Sequence, residues 1–122
     1  MKRGLNMYLE IYLYPVLEEN KDQFLKINRE TEQIYKEYGA LESETYTATS
    51  TQPQYGCSGM VSAVELHENE IIMLEINRYH NKDHQIEVLK KVDQDERIGM
   101  LYTKMTKVID MNRTVRGEFG LS

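Results

Sequence analysis

Charged side chains on three predicted strands are the first candidates for chemistry. Glu10, Glu75 and Arg116 each lie in a run in which apolar and polar residues alternate, as in a half-buried strand. If the three strands are neighbours, the two carboxylates come close enough to raise the pKa of one of them, as acid–base catalysis requires. Arg116 would neutralise the pair, and we favour a buried ion network that fixes the register of a dimer. Tyr12 and Asn77 complete this candidate ligand pocket or interface network.

His80 and His84 are the candidates for metal binding. A spacing of four residues places two side chains on one face of a helix, where two imidazoles can hold a metal ion. His80 precedes the predicted helix start at Asn81, however, and Asp83 is the only evident third ligand. We therefore predict no metal site and no cofactor. A histidine at a helix start is expected instead to bond the backbone or a carboxylate.

Composition limits the classes of function open to the chain. The formal net charge is −5, and lysines and arginines are scattered among acids, which argues against nucleic-acid binding. No apolar run approaches the roughly 20 residues of a membrane span, so no membrane partner is expected. Cys57 is the single cysteine and is interpreted as an incidental loop thiol in a reducing compartment. The basic N-terminus lacks the apolar segment of a signal peptide, so we expect a cytoplasmic protein.

Hydrophobic periodicity predicts four strands and three helices. Strands are predicted at residues 7–14, where Pro15 ends the run, and at 41–49, 70–79 and 113–119. Helices are predicted at residues 18–38, after an N-cap at Asn81 with Ile86, Leu89 and Val92 buried, and at 98–109. Residues 50–59 are predicted to form a loop long enough to cover a site.

This order of elements is typical of the split β-α-β-β-α-β, or ferredoxin-like, α+β fold, here with a pair of helices before the last strand. The fold implies an antiparallel four-stranded sheet of order 4-1-3-2 with the helices on one face. A chain of 122 residues makes a single domain, predicted at residues 7–122 after a frayed N-terminus at residues 1–6.

The two faces of the predicted sheet differ in character. Ile72, Leu74 and Ile76 form a purely apolar face, which is expected to pack on the helices. The opposite face is expected to be bare, and it carries Tyr8, Glu10, Tyr12, Tyr14, Met73, Glu75, Tyr79, Arg116 and Glu118. So much aromatic surface is more than a monomer normally exposes, and we predict its burial against a second copy in a symmetric homodimer.

Several segments resemble the dimeric α/β-barrel superfamily, which includes antibiotic-biosynthesis-type monooxygenases. They are residues 36–42, 70–79 with His84 after them, 95–98 and 116–119. The likeness is closest to an uncharacterised bacterial family of small proteins of about this length. His80 and Asn81 stand where that family usually has Pro-Ser. The resemblance implies a homodimer in which two sheets pack as a barrel, with any ligand between the sheet and the helices of one subunit.

The resemblance also places a histidine at His84, which makes this residue the candidate catalytic proton handler. The leading hypothesis is a small homodimer that binds a small molecule between sheet and helices. One alternative is a cofactor-independent monooxygenase-like enzyme on a small organic substrate, which uses a polar aromatic pocket. The other is a regulatory or protein-interaction module. A cavity of roughly a few hundred Å³ with a titratable group would favour the enzyme, and a filled core with exposed apolar patches would favour the module.

Overall fold

Alternating sequence segments form the four strands of the computed structural model, which describes residues 7–122. The strands are β1 (Tyr8–Leu17), β2 (Glu42–Thr47), β3 (Glu70–Tyr79) and β4 (Val115–Gly120). They form one antiparallel sheet in the order β2-β3-β1-β4, which confirms the predicted order. The predicted frayed N-terminus at residues 1–6 lies outside the described residues.

Three helices lie on one face of the sheet: α1 (Lys21–Glu37), α2 (Lys82–Val92) and α3 (Glu96–Met105). Asn81 caps α2 as predicted, because its side chain accepts a hydrogen bond from the backbone N–H of His84 at 2.8 Å. Gly39 follows α1 with φ +112°, a left-handed conformation that commonly ends a helix. The ferredoxin-like α+β fold is therefore confirmed. In the described part of the chain, none of the helices is both long and apolar enough to cross a membrane.

The helices cover the half-polar face of the sheet, which is the opposite of the predicted orientation. Asn28 of α1 donates a hydrogen bond to Glu75, and Gln85 of α2 donates one to Glu10. We call this side of the sheet the helix face. The other side, the outer face, carries the partly exposed side chains of Leu9, Ile11, Leu13, Leu74 and Ile76, together with Tyr46, Val115 and Phe119 on the edge strands. Polar side chains on the helices form hydrogen bonds with the polar face of the sheet. For this reason the more apolar face of the sheet was not the one that the helices cover.

Strand β1 continues through Pro15, where the sequence predicted its end. Pro15 pairs with Ile72 of β3, whereas β4 reaches only to Val115, opposite Leu13. At Pro15 the strand therefore has no neighbour on its β4 side within the described residues. A proline costs little there, because its missing N–H would have no strand to bond.

The core divides into two clusters beneath the helices. The larger cluster lies under α1 and α3 and includes Tyr14, Phe24, Ile34, Met73, Leu101 and Met105. The smaller cluster lies under α2 and comprises Ala40, Tyr79, Val88 and Val92. The buried side of α2 is Gln85, Val88 and Val92, whereas Ile86, which was predicted to be buried, is 51% exposed.

An ion pair joins the start of β3 to the 3-10 turn that precedes β4. The Arg113 guanidinium donates to both carboxylate oxygens of Glu70, at 2.6 and 2.8 Å. Arg113 also donates to the backbone oxygen of Glu65 at 2.8 Å. These bonds from Arg113 lower the pKa of Glu70 to about 2. A bidentate pair of this kind fixes both distance and orientation between the two segments.

We expect Glu70→Gln to lower the free energy of unfolding by about 2 kcal/mol at neutral pH, because a charge-assisted pair is lost. The folded pKa lies below the ordinary value of 4.5, so this contribution is present above about pH 4.5 and is lost as the pH falls toward 2. Chemical denaturation across this range measures the difference between wild type and variant. Glu68→Gln, at an exposed turn position, serves as a control and should change stability by less than about 0.5 kcal/mol. A Glu70→Gln effect independent of pH would contradict the ionic origin.

Candidate functional site

Asn77 is the centre of a buried polar network on the helix face. Because β1 and β3 run antiparallel, Glu10 lies opposite Asn77 and Tyr12 lies opposite Glu75. The Asn77 side-chain nitrogen donates to Glu10 at 3.0 Å and to Glu75 at 2.8 Å. Its side-chain oxygen accepts a hydrogen bond from Ser43 on β2 at 2.6 Å. One amide thus bridges two carboxylates, and all of its hydrogen-bonding groups are used.

Glu75 is held by neutral donors. Its carboxylate accepts hydrogen bonds from the Tyr14 hydroxyl at 2.7 Å, from Asn28 at 3.2 Å and from Asn77. Only 4% of Glu75 is exposed, and this burial raises its pKa above the ordinary value. The three hydrogen bonds oppose the shift, and the negative charge of Glu10 adds to it. The surroundings of Glu75 therefore disfavour its charged form, which a nearby cation would stabilise.

Glu10 differs from Glu75 because a cation reaches it. It accepts hydrogen bonds from Tyr79 at 3.0 Å, from Gln85 at 3.2 Å and from the Arg116 guanidinium at 3.1 Å. Arg116 is half exposed and also donates to Glu118 at 2.7 Å. All five residues predicted to form a network therefore lie together, but Arg116 compensates only one of the two carboxylates. The network lies under the helices, so the predicted position of these residues at a bare dimer face is wrong.

A cavity of about 170 Å³ lies between the sheet and helices α1 and α3. Glu75 and the tyrosines Tyr12, Tyr14 and Tyr35 contribute to its lining, together with Leu101 and Met105. Tyr102 also lines the cavity and is 57% exposed, so it marks the opening to solvent. No lysine, arginine or histidine among the described residues lines it.

The tyrosines around the cavity remain protonated near neutral pH. Burial and the negative charge of Glu10 raise the pKa of Tyr12 to about 12. Burial also raises the pKa of Tyr35, and burial together with Glu75 raises that of Tyr14. These hydroxyls can therefore donate hydrogen bonds but do not serve as bases. Glu75 is the carboxyl group of the cavity lining, and burial raises its pKa.

The two histidines that the sequence singled out lie elsewhere. The backbone N–H of His80 donates to Nδ1 of His84 at 3.0 Å, and the two rings are 4.8 Å apart between centroids. His84 packs edge-on against Tyr79 at 5.9 Å and lies outside the set of residues that line the cavity. A catalytic role for His84 remains a prediction. Within residues 7–122, no group of three or more His, Cys, Asp or Glu side chains is placed to hold a metal ion.

Asn28 and Gln85 are two site residues on the helices that the sequence analysis missed; it also missed Ser43 on β2 and the cavity-lining side chains of α1 and α3. Asn28 follows Ile27 on the buried side of α1, and Gln85 precedes Val88 by three residues on the buried side of α2. Each is a polar residue at a position where helical spacing calls for an apolar one. Because a buried polar group needs a hydrogen-bond partner, such positions indicate a polar strand face beneath the helix.

The antiparallel sheet with its helices on one face defines a ferredoxin-like α+β protein, and solved structures that include a candidate antibiotic biosynthesis monooxygenase share this fold, as the resemblance implied. Within that class, the chain belongs to the family described as "Protein of unknown function (DUF1428)", whose model matches residues 7–111. No curated protein matches the chain.

Solved structures of low sequence identity share the fold. A candidate antibiotic biosynthesis monooxygenase from Nitrosomonas europaea is 8% identical with a TM-score of 0.65, covering 99% of this chain and 94% of its own. A dimeric ferredoxin-like protein from an uncultured marine organism is 13% identical with a TM-score of 0.65, covering 99% and 92%. An uncharacterised NIPSNAP domain protein from Burkholderia xenovorans is 10% identical with a TM-score of 0.61, covering 94% of each chain. At these identities the similarity concerns the fold alone.

The bridge at Asn77 can be tested by replacing this asparagine with aspartate, which has the same shape but carries a negative charge. We expect Asn77→Asp to lower the free energy of unfolding by roughly 3 kcal/mol at neutral pH, because a third carboxylate then meets Glu10 and Glu75 in a buried site. The loss should shrink on mild acidification, since protonation of the cluster removes the repulsion. Urea denaturation at several pH values measures both effects. The matched change Asn112→Asp, at an exposed turn, should cost less than about 0.5 kcal/mol; equal costs at the two positions would disprove the bridge.

Proposed function

We propose that the protein binds a small organic molecule in the cavity between the sheet and helices α1 and α3, with Glu75 as the polar anchor. The observation that carries this proposal is a nearly buried carboxylate that lines the cavity and is held by neutral donors. Apolar walls with a few convergent polar groups are typical of small-molecule sites. A volume of about 170 Å³ suits a ligand of few heavy atoms.

The hydrogen bonds of Glu75 support a role in binding. A carboxylate offers about four lone-pair sites, and donors from Tyr14, Asn28 and Asn77 occupy three of them. Burial of a charged group without full compensation is costly, so this arrangement is not the one that stability alone would favour. A ligand that donates a hydrogen bond to the fourth lone-pair site would complete the hydrogen bonding of the Glu75 carboxylate.

We also propose that the protein forms a homodimer through the outer face. This face presents apolar side chains from all four strands, and Tyr46, Val115 and Phe119 at its edges are well exposed. Contiguous apolar patches on a folded surface commonly mark an interface. The fold of the dimeric ferredoxin-like protein from the marine organism is consistent with this assembly. The predicted homodimer is thus retained, but through the face opposite to the one first assigned.

A cofactor-independent monooxygenase-like enzyme is the second candidate. Glu75 favours it, because a carboxyl group of raised pKa inside an aromatic cavity can accept a proton from a weakly acidic substrate. Glu75, and not His84 as first predicted, would then be the residue that accepts the proton. The likeness of fold to the Nitrosomonas europaea protein adds support. A regulatory module that uses the outer face is the remaining alternative; unlike the enzyme, neither it nor a simple binding protein would alter a bound compound.

Binding can be detected through the methionine methyl groups. Met105 and Met111 line the cavity, whereas Met60 and Met100 are exposed elsewhere. We expect benzyl alcohol to shift the Met105 and Met111 methyl signals in NMR spectra saturably, with a dissociation constant in roughly the millimolar range. Thr31→Phe, which places a ring in the cavity, should abolish these shifts. Equal shifts at all four methionines would contradict the proposed site.

Assembly can be tested with a pair of identical substitutions. Ile76→Lys places a charge on the outer face, and we expect it to convert a dimer into a monomer because the ammonium cannot be desolvated there. Ile86→Lys makes the same change on the solvent side of α2 and should leave the dimer intact. Native mass spectrometry reads both masses. A monomeric wild type, or an unchanged dimer in Ile76→Lys, would rule out this interface.

A further inference from the structure

Charge compensation differs between the two buried carboxylates. Arg116 donates to Glu10, and neutral side chains on β1, α1 and β3 donate to Glu75. Among the residues that the structure describes, the cavity lining contains one formal charge, the Glu75 carboxylate. Because Glu75 lines the cavity, a cation bound there would lie close to this carboxylate.

The aromatic side chains of the cavity lining also favour a positively charged ligand over a negatively charged one. Tyr12, Tyr14, Tyr35 and Tyr102 all line the cavity, and the rings of Tyr12 and Tyr14 stack with centroids 5.8 Å apart. The face of a neutral aromatic ring carries partial negative charge and attracts cations. The molecule already contains one such contact, because the Arg116 guanidinium lies 5.3 Å from the centroid of the Tyr12 ring.

We infer that the ligand of this cavity is a small organic ammonium ion, whose N–H groups donate to Glu75 while its hydrocarbon part packs between the tyrosine rings and α3. This inference rests on the proposed binding function and specifies the charge class of the ligand. Leu101 and Met105 supply the apolar wall on α3. The thioether of Met105 is polarizable and adapts to the shape of such a group.

Other classes of ligand fit less well. An anion would meet the Glu75 carboxylate at close range, and the described lining offers no lysine, arginine or histidine to bind it. A neutral ligand could fill the volume, but it would leave the charge of Glu75 without a counter-ion. The net charge of −5 further raises the local concentration of cations near the surface.

Three probes of one shape separate these classes. Benzylamine, benzyl alcohol and benzoate carry a positive, zero and negative charge near neutral pH. With the methyl groups of Met105 and Met111 as reporters, we expect benzylamine to bind at least about tenfold more tightly than benzyl alcohol, as a charge-assisted hydrogen bond implies. Benzoate should produce no saturable shift.

Two variants and one control variant identify the side chains responsible for the preference for a positively charged ligand. Glu75→Gln should weaken benzylamine about tenfold and change benzyl alcohol by less than about threefold. Glu87→Gln removes an exposed carboxylate of α2 that lies outside the cavity lining, and it should change neither affinity by more than about twofold. Tyr102→Leu alters an exposed ring at the cavity opening without disturbing the core, and it should weaken benzylamine by about threefold.

The outcomes separate this inference from the proposed function. If benzyl alcohol binds at Met105 and Met111 as tightly as benzylamine, the cavity is a binding site but the ligand class is wrong. If benzylamine binds more tightly and Glu75→Gln leaves that preference intact, the assignment to Glu75 fails. If none of the three probes shifts these methyl groups, both the inference and the proposed site fail.

Discussion

The side-chain amide of Asn77 donates hydrogen bonds to two buried carboxylates at once, and the geometry of the sheet follows from this bridge. Its side-chain nitrogen contacts Glu10 and Glu75 at once, and this is possible only in the observed register of β1 and β3. A slip by one residue would turn every side chain of a strand to the other face. The bridge therefore fixes strand register, and it also holds the two carboxylates in place with different surroundings.

These surroundings give the two carboxylates different properties. Glu10 faces Arg116 at the rim and has the character of a structural ion pair. Glu75 faces the cavity, where neutral donors orient it while burial raises its pKa. Pairs of acids in contrasting environments are a common basis for functional sites, because one group supplies order while the other stays reactive. The helices cover the polar face and leave the apolar face open, so the proposed binding site and the proposed dimer interface would use opposite sides of one sheet.

Much of the fold follows from the sequence. Alternation predicted β3 at its observed bounds, and helical spacing predicted α1 within residues 18–38. The five residues of the predicted network lie near one another because alternation determines which side chains share a face, and their functional role remains a prediction. Alternation does not determine which face the helices cover, and that choice depended on Asn28 and Gln85, two polar residues on buried helix sides. The cavity arises from the packing of α1 and α3 over β1 and β3, which no local pattern describes.

Glu75 is a buried acid without a compensating cation in the described structure. An NMR titration of the side-chain carboxyl carbons of ¹³C-labelled glutamates tests this property. We expect the Glu75 signal to titrate above the ordinary pKa of 4.5, whereas Glu70 in the same spectra should titrate with a pKa of about 2. A Glu75 signal that titrates at or below 4.5 would show that the charge of Glu75 is already compensated, which would disprove this description of the site.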